Sequence, residues 1–279
     1  MEEPVSYRGV TSLVTGASKG LGRAYALELA RRGARVVVLA RSEAGLRALA
    51  AEVRERHGVE VEVVVADLTA PDGPDRVLEE LRERGLSVDL LVNNAGAGSA
   101  GPFLERPLGP QLTSVALNVD GLLALTHAIG GELVSRGSGG IINVSSIAAF
   151  QPMPYQATYA ATKAFVLSFT EALAEELRGT GVHVMAVHPG AVATGFFDGT
   201  TATIHPIADT PETVAARSLD DYERRRAASY PGRALTKVVN RAMTWPSRVL
   251  PRTAATRAAR ALNRKLGLHE VVDVVTPSR

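Results

Sequence analysis

The chain has no cysteine among its 279 residues, which excludes a disulfide framework, thiolate metal ligation and a cysteine nucleophile. Aromatic residues are scarce at 5%, and no run of apolar residues approaches the roughly 18 that a membrane-spanning helix needs. Met1-Glu2-Glu3-Pro4 is acidic and lacks an apolar core, so it does not read as a signal peptide, and the expected location is the cytoplasm. Acidic residues are missing altogether between Arg224 and Lys265, where twelve Lys and Arg fall. The net charge of only +2 therefore hides an acidic excess elsewhere and makes the C-terminal stretch a chemically distinct surface.

What is present suits one large core, since 46% of the chain is apolar and 22% charged. Residues 10–15 read as a short buried strand running into Thr15-Gly16-Ala17-Ser18-Lys19-Gly20-Leu21-Gly22, followed by an amphipathic helix to Arg32, Gly33 at its end, and a second strand over 35–40. Strand, glycine turn, helix and strand within about thirty residues make a βαβ unit, whose turn offers unpaired helix N–H groups to a phosphate. Gly16, Ser18, Lys19, Gly20, Leu21 and Gly22 are the candidate contacts. The spacing is G-x-x-x-G-x-G, and no G-K-[ST] follows, so it is not a P-loop. The second strand ends Leu39-Ala40-Arg41-Ser42. Where an acidic residue would take a ribose 2′-OH there is Arg41, and Lys19 adds a second cation, which points to NADP(H).

The alternation continues. Helices are expected over 43–56, 73–84, 108–135 and 157–178, with strands over 59–66, 88–92, 141–144 and 182–187. Six strands alternating with helices demand a parallel sheet, doubly wound, with helices on both faces. Ligands of such sheets sit beyond the carboxyl ends of the strands. Gly16, Arg41, Asp67, Asn93 with Asn94-Ala95-Gly96, Ser146 and Pro189-Gly190 all fall there.

Within the helix over 157–178, Tyr159 and Lys163 stand four apart and share a face. A fixed ammonium beside a phenol favours the phenolate, so Tyr159 is a candidate to give or take a proton near neutral pH. Ser145 or Ser146, at the end of the 141–144 strand, is placed to hold a substrate oxygen beside that phenol; alternation sends the two side chains to opposite faces, so one serves and not both.

Together these motifs resemble the classical short-chain dehydrogenases/reductases over about residues 8–200. The resemblance rests on T-G-x-x-x-G-x-G at Thr15–Gly22, Asp67, N-N-A-G at Asn93–Gly96, Asn118, the serine, Y-x-x-x-K at Tyr159 and Lys163, and Pro189-Gly190 followed by Thr194. It implies that Tyr159 is the proton donor or acceptor, that Lys163 lowers its pKa and binds the nicotinamide ribose, and that Asn118 helps hold a relay water. It also implies that Asp67 and Leu68 border the adenine and that Thr194 contacts the carboxamide or phosphate region. The thirteen-residue spacing to Tyr159 usual in the family selects Ser146. Family members usually pair through the two long helices, so a dimer or tetramer is expected.

The expected organisation is a single Rossmann-type α/β domain over 1–232, its sheet of six or seven strands including a short seventh over 227–231, with a substrate lid at about 191–210. A basic helical extension over 233–279 packs on it. Thr210 caps the helix that Pro211 opens. Tail helices are expected over 233–244 and 246–266, and three readings of this tail stand side by side: an apolar face packed on the domain or a partner copy, a membrane-surface helix inserting Trp245, Leu250 and Leu262, or an electrostatic collar for an acyl-CoA or acyl-carrier protein. No nucleic-acid module accompanies the charge. His127, His183 and His188 show no metal-ligand spacing, and no metal is assigned. The expected reaction is reduction of a ketone, by resemblance a 3-oxoacyl or other lipid-like one, with NADPH. The alternatives are an oxidative alcohol or steroid dehydrogenase and a non-catalytic dinucleotide-binding sensor or scaffold.

Overall fold

The computed structural model describes residues 7–195, 208–233 and 251–271, together with Thr236, Val238, Asn240, Arg241 and Thr244. Seven parallel strands form one sheet: β1 (Thr11–Thr15), β2 (Arg35–Ala40), β3 (Val61–Val65), β4 (Leu90–Asn93), β5 (Gly139–Val144), β6 (Val182–Val187) and β7 (Ala228–Ser229), in the order β3-β2-β1-β4-β5-β6-β7. Period-two alternation in these β-branched runs divides the core in two. Val14, Val36, Val38, Val92 and Val187 face one layer, packed under α1 (Gly20–Arg31), α2 (Glu43–His57) and α7 (Pro211–Glu223). Leu13, Val37, Leu91, Ile141 and Val184 face the other, covered by α3 (Gly73–Glu83), α5 (Gly121–Arg136) and α6 (Ala157–Glu176). After β3 the chain crosses back to place β4 beside β1. That reversal brings the glycine turn and the Asn93–Gly96 loop together at the carboxyl edge.

Two expectations change in detail. The helix expected over 108–135 is α4 (Leu108–Val115) and α5 joined by a π turn, Ala116–Asp120, in which Asn118 is buried. By length and composition Leu108–Arg136 is apolar enough to cross a membrane, with mean hydropathy 1.4, yet it is a helix of this domain, with Leu125, Ile129 and Leu133 in the core. The seventh strand shrinks to two residues, Ala228 and Ser229, paired with Ala186 and Val187. Thr210 does cap α7, its hydroxyl accepting from Thr213 N–H.

Beyond β7, Thr236, Val238, Asn240 and Arg241 are helical, and α8 (Arg252–Lys265) buries Ala255, Ala259 and Asn263, one residue per turn. The tail helix expected from 246 begins after Pro251. Asn263 Nδ2 donates to Pro154 O at 2.7 Å, and Leu268 and Val271 pack with Ala100 and Tyr155. These contacts lie on the loops after β4 and β5. Trp245 and Leu250 lie outside the described residues, as do residues 196–207 of the expected lid. The neck of that lid is held by a bridge between Val192 and Asp209.

Candidate active site

The glycine turn is built for close backbone approach. Gly16 and Gly20 take φ of +68° and +57°, open to glycine without strain, and a Cβ on Gly22 would overlap the Gly16 carbonyl oxygen. The N-terminus of α1 has no side-chain cap, so its first N–H groups face the carboxyl edge with the positive end of the helix dipole. The adjoining loop is stapled to the turn by Thr15. Its hydroxyl accepts from Asn94 N–H at 3.0 Å and Ala95 N–H at 2.9 Å, and Asn94 Nδ2 donates to Thr15 O at 2.9 Å. Below it Asn93 Nδ2 donates to Thr126 Oγ1 and to Asn143 Oδ1, both at 2.9 Å, and Asn143 Nδ2 donates to Thr170 Oγ1 at 3.0 Å. This buried amide ladder ties α5, β4, β5 and α6 together under the site.

The adenine side and the lid side separate the two candidate cations. Arg41 lies 3.6 Å from Asp67 and is largely exposed. Burial would raise the Asp67 carboxyl, but hydrogen bonds from Thr69 and the Arg41 guanidinium outweigh it and hold Asp67 below its ordinary value. Lys19 instead points to Gly195 O, 3.5 Å away, at the neck of the lid. Thr194 packs there too, its Cβ 3.3 Å from where a Cβ on Gly20 would stand. Leu68, expected to border the adenine, has its side chain buried in the core against Gly121. Pro189 O accepts from Ile147 N–H at 3.0 Å, seating the Pro189-Gly190 turn next to Ser146.

The structure separates the paired serines. Ser145 Oγ turns to the backbone oxygen of Lys163 at 2.8 Å, whereas Ser146, cap of the short 3-10 turn Ile147–Phe150, hydrogen-bonds the Tyr159 phenol. Lys163 is 5% exposed and donates from Nζ to Val144 O at 2.8 Å, with Nζ 5.9 Å from the centre of the Tyr159 ring. The expected direction of the phenol shift is reversed. Burial pushes Tyr159 up and the hydrogen bond with Ser146 pulls it partly back, while Lys163 Nζ stands 5.9 Å from the ring centre. Burial also pulls Lys163 down, to about 8. The Asn118 amide is engaged with protein groups. Its Oδ1 accepts from Ala97 N–H at 2.9 Å, and its Nδ2 donates to Ala97 O at 2.8 Å and Thr162 Oγ1 at 2.9 Å. It braces the loop after β4 against α6, at a π turn, a feature frequent at functional sites.

His188 is buried between the rings of Phe150 and Tyr230, at 5.0 and 5.1 Å, His183 rests against Tyr222, and His127 is exposed on α5. Among the described residues no three His, Asp or Glu gather as a metal centre would require.

With glycine cradle, amide-stapled loop and Ser–Tyr–Lys set at one edge of the sheet, comparison with known proteins is decisive. The family model for short chain dehydrogenase matches residues 11–204. The chain belongs to that family. An uncharacterized oxidoreductase of Myxococcus xanthus is 41% identical over 188 residues, 67% of this chain and 73% of that one. A very-long-chain 3-oxoacyl-CoA reductase of Bos taurus is 36% identical over 190 residues, 67% of this chain but 60% of the bovine protein. A short-chain dehydrogenase from Sphingobium yanoikuyae, solved in complex with NADPH, superposes with a TM-score of 0.74 at 32% identity, covering 97% of this chain and 98% of that one. This short chain dehydrogenase is therefore an oxidoreductase of an NAD(P)-binding family. Sequence reasoning missed Asn143 and Thr162, whose side chains hydrogen-bond Asn93 and Asn118. A polar residue inside an apolar run, as in Ile141-Ile142-Asn143-Val144, is the signal that marks the first of them.

Proposed function

We propose that this enzyme reduces a ketone with NADPH, and that Tyr159 delivers the proton to the oxygen. The observation that carries the proposal is the buried hydrogen bond between Ser146 and the Tyr159 phenol, with the Lys163 ammonium beneath the same ring. The cradle fits a dinucleotide: α1 opens uncapped beside glycines that leave no space for a Cβ, and Arg41 stands where a carboxylate would prefer the unphosphorylated ribose. The NADPH in the Sphingobium yanoikuyae relative supports the same choice. Bound there, the reduced nicotinamide would supply the hydride.

The chain's own groups do the rest. Ser146 orients the carbonyl oxygen. Tyr159 gives its proton to that oxygen as negative charge develops on it. Lys163 then lies near enough to stabilise the phenolate until solvent restores the proton. Asn118 and the Asn93–Asn143 ladder hold these groups in place. The substrate class we favour is a 3-oxoacyl or similar lipid-like ketone, in keeping with the bovine relative and with a basic α8 whose Arg260 and Arg264 hydrogen-bond the Tyr155 phenol and lower its pKa at the rim of the site. Those arginines would receive a phosphate-bearing carrier, either coenzyme A or an acidic acyl-carrier protein. Leu112 and Val115 of α4 and Phe165 of α6 remain exposed on helices that pack together, and we assign this face to a second copy of the chain.

Titration with NADPH and NADH, followed by a panel of ketones and 3-oxoacyl thioesters, tests the proposal. Tight NADPH binding with consumption on one of them is expected. Turnover only from an alcohol with NADP+ would reverse the direction, and failure to bind either dinucleotide would overturn the reading.

A further inference from the structure

Beyond β7 the described residues place polar side chains inside. Thr236, Asn240 and Thr244, four apart, are buried, whereas Val238 is 67% exposed. Two of the three are satisfied by their own backbone: Thr236 Oγ1 donates to Arg233 O at 3.0 Å and Thr244 Oγ1 to Arg241 O at 2.8 Å. Asn240 is not. Its side chain is only 6% exposed, and its Nδ2, which carries two N–H donors, has no hydrogen-bond partner among the described residues. A buried unsatisfied amide is costly enough that native proteins rarely keep one without use.

Its position says what the use is. The amide lies flat on Gly190, with Nδ2 2.6 Å from the point a Cβ on Gly190 would occupy, so Gly190 is the residue that lets Asn240 approach. Gly190 follows Pro189, whose carbonyl accepts from Ile147 N–H, the residue after Ser146. The segment is itself anchored to the neck of the lid, where Asp209 Oδ1 accepts from Arg233 N–H and from Arg233 Nε, each at 3.1 Å. The unpaired donor thus stands at the end of β6, one strand along from Ser146 at the end of β5.

We infer that Asn240 donates a hydrogen bond from Nδ2 to a carbonyl oxygen of the bound reactants, a contact supplied by the C-terminal extension. The inference rests on the reductase reading. Two oxygens share this chemistry: that of the nicotinamide carboxamide, and a second carbonyl on the substrate beside the one Ser146 and Tyr159 hold.

The test compares wild type with Asn240→Ala, Asn240→Asp and, as control, Val238→Ala, by NADPH fluorescence titration, thermal melting, and steady-state kinetics on a simple aliphatic ketone and a 3-oxoacyl thioester. Loss of one hydrogen bond predicts roughly a five- to tenfold effect in the two Asn240 variants, with melting unchanged or raised in Asn240→Ala. A rise in the Kd for NADPH assigns the carboxamide. An unchanged Kd, with a rise in KM for the thioester and none for the simple ketone, assigns the substrate. Asn240 variants that match wild type in Kd and KM, in a protein that binds NADPH, overturn this inference alone. A wild type that does not bind NADPH overturns the reductase reading and this inference with it.

Discussion

Replacing Lys163 with methionine separates what the site costs from what it does. Burial brings the ammonium from its usual 10.5 to about 8, so at pH 7 the folded state holds a charge it disfavours. At 1.36 kcal/mol per unit the burden is about 3 kcal/mol. Because the folded value is the lower one, the unfolded chain binds more protons between about pH 8 and 10.5. Wild-type stability on this account rises with pH through that window, and the full cost is present below it. Methionine abolishes the titration but also removes the bond from Nζ to Val144 O, leaving a carbonyl without that donor at a cost of about 1–3 kcal/mol. The variant is therefore expected within about 2 kcal/mol of wild type at pH 7, on the stable side, while wild type gains about 2 kcal/mol relative to it by pH 10. Urea unfolding of both proteins at pH 7, 8.5 and 10 without dinucleotide measures this. A stability difference that stays flat across the three would refute a desolvated ammonium at position 163.

Tyr159→Phe is expected to lower ketone reduction by at least ~10²-fold while NADPH affinity, read by fluorescence titration, holds within about twofold, since the hydroxyl serves the proton and not the dinucleotide. Arg41→Asp removes a guanidinium and sets a carboxylate at the end of β2, beside Asp67; the ratio of kcat/KM for NADPH over NADH is expected to fall by about tenfold or more, and an unchanged ratio removes Arg41 from the phosphate site. If the charge on Lys163 supports the phenolate, kcat/KM for reduction falls above about pH 8 as that charge is lost, and Lys163→Arg moves the alkaline limb upward. A limb that stays in place in the arginine variant assigns it to another group.

Most of the sheet is legible in the sequence because its strands are short β-branched runs that bury both faces. A stretch such as Arg35-Val36-Val37-Val38-Leu39-Ala40 is too short and too rich in valine to compete as a helix, and the structure repeats its bounds. The strand-end residues follow from topology alone. The serine could be chosen only by resemblance, and the structure supplies the reason: Ser145 is used by the backbone of Lys163. The π turn at Asn118 is not legible, since Ala116-Leu117-Asn118-Val119-Asp120 carries no glycine or proline to mark it, and it is set by contacts with Ala97 and Thr162 far along the chain. The upward shift of the Tyr159 phenol is likewise not legible. Spacing gives a shared face, whereas the shift follows the burial of the phenol, which spacing does not show.

Those misses share a physical cause. Periodicity finds residues that water expels, and it is blind to polar groups that the fold buries on purpose. Asn93, Asn118, Asn143 and Lys163 all lie inside, and the three asparagines spend their amides on protein partners. Each costs desolvation that only its bonds offset, so each is held where it is by the geometry it enforces. Asn240 breaks that pattern: it is as deeply placed as the others, at the same edge of the sheet, and its donor is left over. Among the described residues, Asn93, Asn118 and Asn143 match their amides within the protein, and the inference from Asn240 rests on that contrast.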